Sequence, residues 1–124
     1  MMFDLTPEEA RLLLNVALMA AGGNRFQSAA KILAVLERFR PDAPSVAVGN
    51  AITLISAMKF AECVEYVDET ALRKFPDSAM LKAFKGMALL RMERIPEAHE
   101  VLAEAAGQTD DPAAAQLAKG LMND

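Results

Sequence analysis

The sequence has no tryptophan, one tyrosine, one histidine and one cysteine in 124 residues. A single cysteine, Cys63, excludes an internal disulfide and suits a reducing compartment. Cys63 and the lone His99 cannot between them hold a metal, which needs three or four convergent donors. Apolar runs are short, and none approaches the roughly 18 residues of a membrane span. The only glycine pair, Gly22-Gly23, follows a helical pattern instead of linking a strand to a helix, so it forms no phosphate cradle. Basic residues are outnumbered, 13 Lys and Arg against 17 Asp and Glu, giving a net charge of −4. That balance argues against non-specific binding to nucleic acid. The opening MMFDLTPEEARLLL lacks the basic start and small-residue cleavage site of a secretory signal. From these absences we expect one soluble, acidic, cytoplasmic domain over residues 1–124. No cofactor, metal, nucleic acid or membrane partner is expected.

What the chain does have is apolar content, 53% of residues against 24% charged, enough to bury a core. It also has an internal period. Phe26, Phe60 and Ile95 are separated by 34 and 35 residues, as are Ala29, Cys63 and Ala98, and Ala17, Ala51 and Gly86. Pro41, Pro76 and Pro112 follow at 35 and 36. One spacing held by several position types marks a repeat. Repeats are expected at about 7–41, 44–76 and 77–110, with a capping helix at about 111–122.

Each repeat reads as a helical pair. In LTPEEA, Thr6 suits an N-cap, Pro7 the first helical position and Glu9 a capping box, with Leu5 placed to staple against Ala10. The first helices of the pairs are predicted at about 7–21, 44–57 and 77–92. The second helices are predicted at about 25–39, 60–74 and 96–106. Gly22-Gly23 should break the first helix and Pro41 should stop the second. Nothing alternates with period two, so no strand is expected, and short loops make neighbouring helices antiparallel. Small residues at 17, 51 and 86, facing 29, 63 and 98, would allow close approach, with Phe26, Phe60 and Ile95 filling the wedge near each turn. Cys63 is then a small core residue.

Enzymatic chemistry finds no support. His99 falls on a predicted surface helix. The pairs Glu8-Glu9, Asp68-Glu69 and Asp110-Asp111 sit near helix starts or on polar faces, whereas acid–base work needs carboxylates converging in an enclosed site. The protein is expected not to be an enzyme.

The period and the small residues resemble the tetratricopeptide repeat, whose signature is W-x2-L-G-x2-Y, then A-x3-F and a proline. The first copy offers Leu13, Val16, Ala17, Ala20, Ala29, Leu33 and Pro41. The second offers Ala47, Asn50, Ala51, Leu54, Cys63, Val67 and Pro76, and the third Lys82, Lys85, Gly86, Leu89, Ala98, Leu102 and Pro112. Asn50, Lys82 and Lys85 stand where the family has apolar residues. The resemblance implies an all-α, right-handed solenoid of three degenerate helical hairpins plus a capping helix. In size, repeat number and acidity the chain is also similar to the small cytoplasmic chaperones of bacterial type III secretion, particularly those that hold the needle subunit with a second small helical protein.

Family geometry places Leu14 and Leu18 of the first helix on a concave wall. Val48, Ile52 and Ile55 follow, then Met80, Ala83, Met87 and Leu90. Such a wall would take an amphipathic helix or apolar segment of a protein partner. The competing reading is that many of these side chains only pack between repeats. The resemblance implies sequestration of an exported, needle-type subunit, with a possible helical co-chaperone and self-association when the chain is alone. A generic repeat scaffold with no export role is the alternative.

Overall fold

The computed structural model describes residues 5–123, which are all-helical apart from turns. The chain divides into two compact units, Met1–Met58 and Lys59–Asp124.

The first unit holds α1 (Pro7–Gly22), α2 (Phe26–Phe39) and α3 (Pro44–Ser56). The capping box forms as expected. Thr6 Oγ1 accepts from the Glu9 amide at 3.1 Å, and the Glu9 carboxylate accepts from the Thr6 amide at 3.0 Å. Those bonds, the backbone one first, hold the Glu9 carboxyl below its ordinary range. Leu5 is buried in the unit's core and Ala10 packs against the same cluster, as a hydrophobic staple requires. The side chain of Arg40 donates to the Leu5 carbonyl and ties the entry strand to the end of α2.

α2 buries Ala29, Leu33 and Leu36, one stripe at i, i+4 and i+7. α3 buries Val46, Ala47, Gly49, Ala51 and Thr53, and the Thr53 hydroxyl is satisfied by donating to the Gly49 carbonyl at 2.9 Å. Gly49 lies where α3 meets side chains of both α1 and α2. A Cβ there would lie 2.9 Å from Leu33 Cδ2 and 3.0 Å from Leu14 Cδ1.

The second unit begins with α4 (Phe60–Tyr66), a π-helical segment (Val67–Ala71) and α5 (Leu72–Lys74). The junction residues Tyr66, Val67, Ala71 and Leu72 all keep right-handed helical angles, so these pieces form one rod with a widened turn, not the plain helix expected over 60–74. α6 (Ala79–Arg91) packs against α4, α7 (Ile95–Gly107) and α8 (Pro112–Met122). It starts two residues later than the predicted 77 because Ser78 supplies the cap, its Oγ accepting from the Leu81 amide at 3.3 Å. The Asp111 side chain caps α8 by accepting from the Ala114 amide at 3.1 Å.

Alanine dominates the core of this unit: Ala79, Ala83, Ala98, Ala105, Ala114 and Ala118 surround Leu89, Val101 and Leu102. Small side chains bring the helix backbones close, and Gly86 brings them closest. Its missing Cβ would lie 2.4 Å from Leu102 Cδ2 and 2.5 Å from Leu102 Cγ. α8 docks on both α6 and α7 with Leu117, Leu121 and Met122 against that core.

The turns repeat as the sequence does. Among the described residues, Asn24, Met58 and Glu93 are the non-glycine ones with left-handed backbone, at φ 66°, 61° and 60°. They stand 34 and 35 positions apart. After α1, the Arg25 amide donates to Ala20 O at 2.8 Å and the Asn24 amide to Ala21 O at 3.1 Å. After α6, the Arg94 amide donates to Leu89 O and the Glu93 amide to Leu90 O, each at 3.0 Å. These paired bonds are Schellman motifs. The left-handed residue of the first turn is therefore Asn24 and not either glycine of the expected breaker, since Gly22 still ends the helix and Gly23 has φ −92°. A second correction concerns Ile95, which does not fill a wedge: it is 44% exposed, while Phe26 and Phe60 are half-buried.

Candidate functional site

The nine residues expected to form an apolar wall divide between the units, and each group is described within its own. In the first unit Leu14, Leu18, Val48, Ile52 and Ile55 are half-buried, neither sealed nor open. Leu14 and Leu18 lie one turn apart on α1, and Val48, Ile52 and Ile55 follow at i, i+4 and i+7 on α3. In the second unit Met80, Met87 and Leu90 are likewise half-buried. Met80 and Leu90 rest on the alanine-rich core beside Leu117, Leu121 and Met122, so part of their surface serves the unit's own packing.

Ala83 departs from the expectation. It is fully buried within the core cluster and presents nothing to a ligand. The reason is its place on the same side of α6 as Ala79, one turn earlier, which faces α7 and α8.

Three large apolar residues that the sequence reading did not place on a surface are the more open ones. Leu12, Val16 and Met19 are 64%, 43% and 75% exposed, at i, i+4 and i+7 along α1. Their spacing was visible in the sequence. Val16 also falls at a position of the repeat signature, which competes with the stripe for the same residue.

Lys82 and Lys85 stand where apolar residues were expected, and the structure shows how they are accommodated. Lys82 keeps a side chain only 15% exposed and delivers its ammonium to Gln108 Oε1 at 2.7 Å and to Glu104 at 3.5 Å. Gln108 Nε2 in turn donates to the Asp77 carbonyl at 2.7 Å. Lys85 pairs with Asp68 at 2.7 Å, joining α6 to the π-helical turn. Long aliphatic stems thus fill apolar positions while their heads reach polar partners.

A hollow of about 280 Å3 opens in the first unit between α1, the end of α2 and the start of α3. Leu14, Leu36 and Val46 line its apolar side, and Arg11, Arg40 and Ser45 its polar side.

Comparison with family models, with curated proteins and with solved structures found no match.

Among the described residues no three His, Cys, Asp or Glu side chains gather in a metal-binding group. His99 is exposed on α7. Cys63 is buried, and desolvation pushes its thiol up to about 11, which keeps it protonated and poorly nucleophilic near neutral pH. Among the described residues no helix is long and apolar enough to cross a membrane.

Proposed function

We propose that this chain is a tetratricopeptide-like helical solenoid that binds an amphipathic helix or apolar segment of a protein partner. The carrying observation is the set of half-covered apolar side chains on α1 and α3. Leu14, Leu18, Val48, Ile52 and Ile55 line up by helical spacing, and their own unit covers them only in part. A partner's apolar face laid on them would complete that burial. The recurrence of one left-handed turn residue at 34 and 35 positions supports the repeat reading at the level of the backbone.

The first unit alone offers five wall residues. If each loses about 40 Å2 more to a ligand at about 25 cal/mol/Å2, the gross gain is roughly 5 kcal/mol. Association consumes about 4–15 kcal/mol, so useful affinity needs further contact or a second protein that preorganises the site. Met80 and Met87, flexible and polarisable, suit a surface that adapts to its ligand. The biological role most in keeping with this chemistry is sequestration: a bacterial cytoplasmic chaperone holding an export subunit of the type III needle class, which would otherwise polymerise through its apolar helix. A generic repeat scaffold shares the binding chemistry and lacks the export role.

The test is capture from the native host with a tagged chain, beside the double variant Leu18→Glu, Ile52→Glu. The wild type should retain a helical partner that the variant loses, with the circular-dichroism spectrum unchanged. Equal capture by both chains would place the binding surface elsewhere.

A further inference from the structure

We propose that the hollow between α1, the end of α2 and the start of α3 binds a carboxylate carried on a compact apolar group. Two arginines line it, and among the described residues no acidic one does. Among the described residues neither Arg11 nor Arg40 has a carboxylate within ion-pairing distance. Glu8, at the helical spacing that could face Arg11, forms no ion pair with it, and Glu9 is engaged with Thr6 in the capping box. In a chain with more acidic than basic residues, two arginines lining one hollow with no ion pair among the described residues are not the by-product of a basic surface. Arg40 is half-buried and already anchored on the Leu5 carbonyl, which fixes its guanidinium and leaves further N–H donors for a ligand. A partly buried charge without a counter-ion is unfavourable, so an anion there is stabilised twice, by the charges and by their geometry.

The rest of the lining selects which anion. Leu14, Leu36 and Val46 offer an apolar floor that a bare inorganic ion would leave empty. Ser45 adds a hydroxyl at the first turn of α3, a helix whose N-cap, Ala43, supplies no side-chain bond. At about 280 Å3 the hollow lies at the small end of ligand sites, sized for one amino-acid residue and not for a nucleotide. Two sources present such a group: the C-terminal residue of a polypeptide, or a free branched-chain acid. This site lies wholly within the first unit and shares Leu14 with the wider apolar wall, and its test requires no partner helix.

The experiment is an NMR titration of the isotope-labelled full chain with N-acetyl-leucine, N-acetyl-leucinamide, 4-methylpentanoate and acetate. N-acetyl-leucine should give saturable shifts at the Arg11 and Arg40 side-chain N–H groups and at the Leu14, Leu36 and Val46 methyls, with a Kd of about millimolar order. The amide and acetate should each bind at least about tenfold more weakly, the first for lack of charge and the second for lack of an apolar body. N-acetyl-leucine binding more tightly than 4-methylpentanoate identifies a polypeptide terminus, and the reverse order identifies the free acid. Arg40→Gln also loosens the Leu5 anchor, so Arg11→Gln is the cleaner variant, and it should weaken binding about tenfold. Equal affinity for acid and amide, equal affinity for acetate, unchanged binding by Arg11→Gln, or no saturable shift would each overturn the proposal.

Discussion

Gly86 and Gly120 show how differently one residue type is used in two helices of the same unit. A methyl at Gly86 meets Leu102 at Cδ2, 2.4 Å away, and also at the branch point Cγ, 2.5 Å away, so turning the terminal methyls alone does not relieve the clash. Overpacking of that kind costs about 1–3 kcal/mol, against about 1 kcal/mol regained from the better helix propensity of alanine. With contacts this short the cost lies in the upper part of that range, so Gly86→Ala should lower stability by about 1–2 kcal/mol, read from the urea midpoint at constant slope. Nothing lies within 4 Å of a Cβ at Gly120, so Gly120→Ala should raise stability by about 0.5–1 kcal/mol. The same measurement giving Gly86→Ala as neutral would mean that α6 and α7 do not pack this closely. At this scale the sequence was most legible where size alone mattered: Ala17, Ala29, Ala51, Cys63, Gly86 and Ala98 are all buried, as their period implied. It was least legible where apolarity was taken for burial. Ile95 shares the position type of Phe26 and Phe60 yet stands 44% exposed, and Ala83 is buried where a wall residue was expected.

The helices themselves followed local chemistry closely. α1, α3 and α8 begin with Pro7, Pro44 and Pro112, and the capping roles of Thr6 and Asp111 were readable from residue type. Turn geometry was less readable. The glycine pair drew attention to Gly22 and Gly23, while the left-handed positions belong to Asn24, Met58 and Glu93. Asparagine tolerates that conformation, whereas methionine and glutamate hold it at about 1–2 kcal/mol of intrinsic cost. Glycine avoids that cost but loses about 0.5–1 kcal/mol more chain entropy on folding. Met58→Gly and Glu93→Gly should each stabilise by up to about 1 kcal/mol, with Asn24→Gly near neutral, as thermal or urea unfolding would record. Destabilisation by Glu93→Gly would mean that its Schellman turn is not as described. The π-helical turn at Val67–Ala71 had no local signature at all. Lys85, reaching Asp68 across from α6, shows that tertiary contact accompanies that widened turn, and such contacts cannot be read from the sequence of the helix alone.

For the whole molecule, composition set the class and periodicity set the helices. Which apolar faces stay uncovered depended on packing that neither revealed. Leu12, Val16 and Met19 are the plainest case: a stripe by spacing, open by structure, and hidden in the sequence under a repeat signature. Together with the half-covered Leu14, Leu18, Val48, Ile52 and Ile55, they give the first unit more apolar surface than its own helices bury. Surface of this kind on an isolated chain favours association with another copy when no partner is present. The decisive measurement is the molar mass of the purified full chain by size-exclusion chromatography with light scattering, taken across a wide range of concentration. Mass should rise with concentration for the wild type and rise less steeply for Leu18→Glu, Ile52→Glu at unchanged helical content, since that variant keeps the open Leu12, Val16 and Met19. A wild type that remains a monodisperse monomer throughout would contradict the claim that these faces await a protein partner.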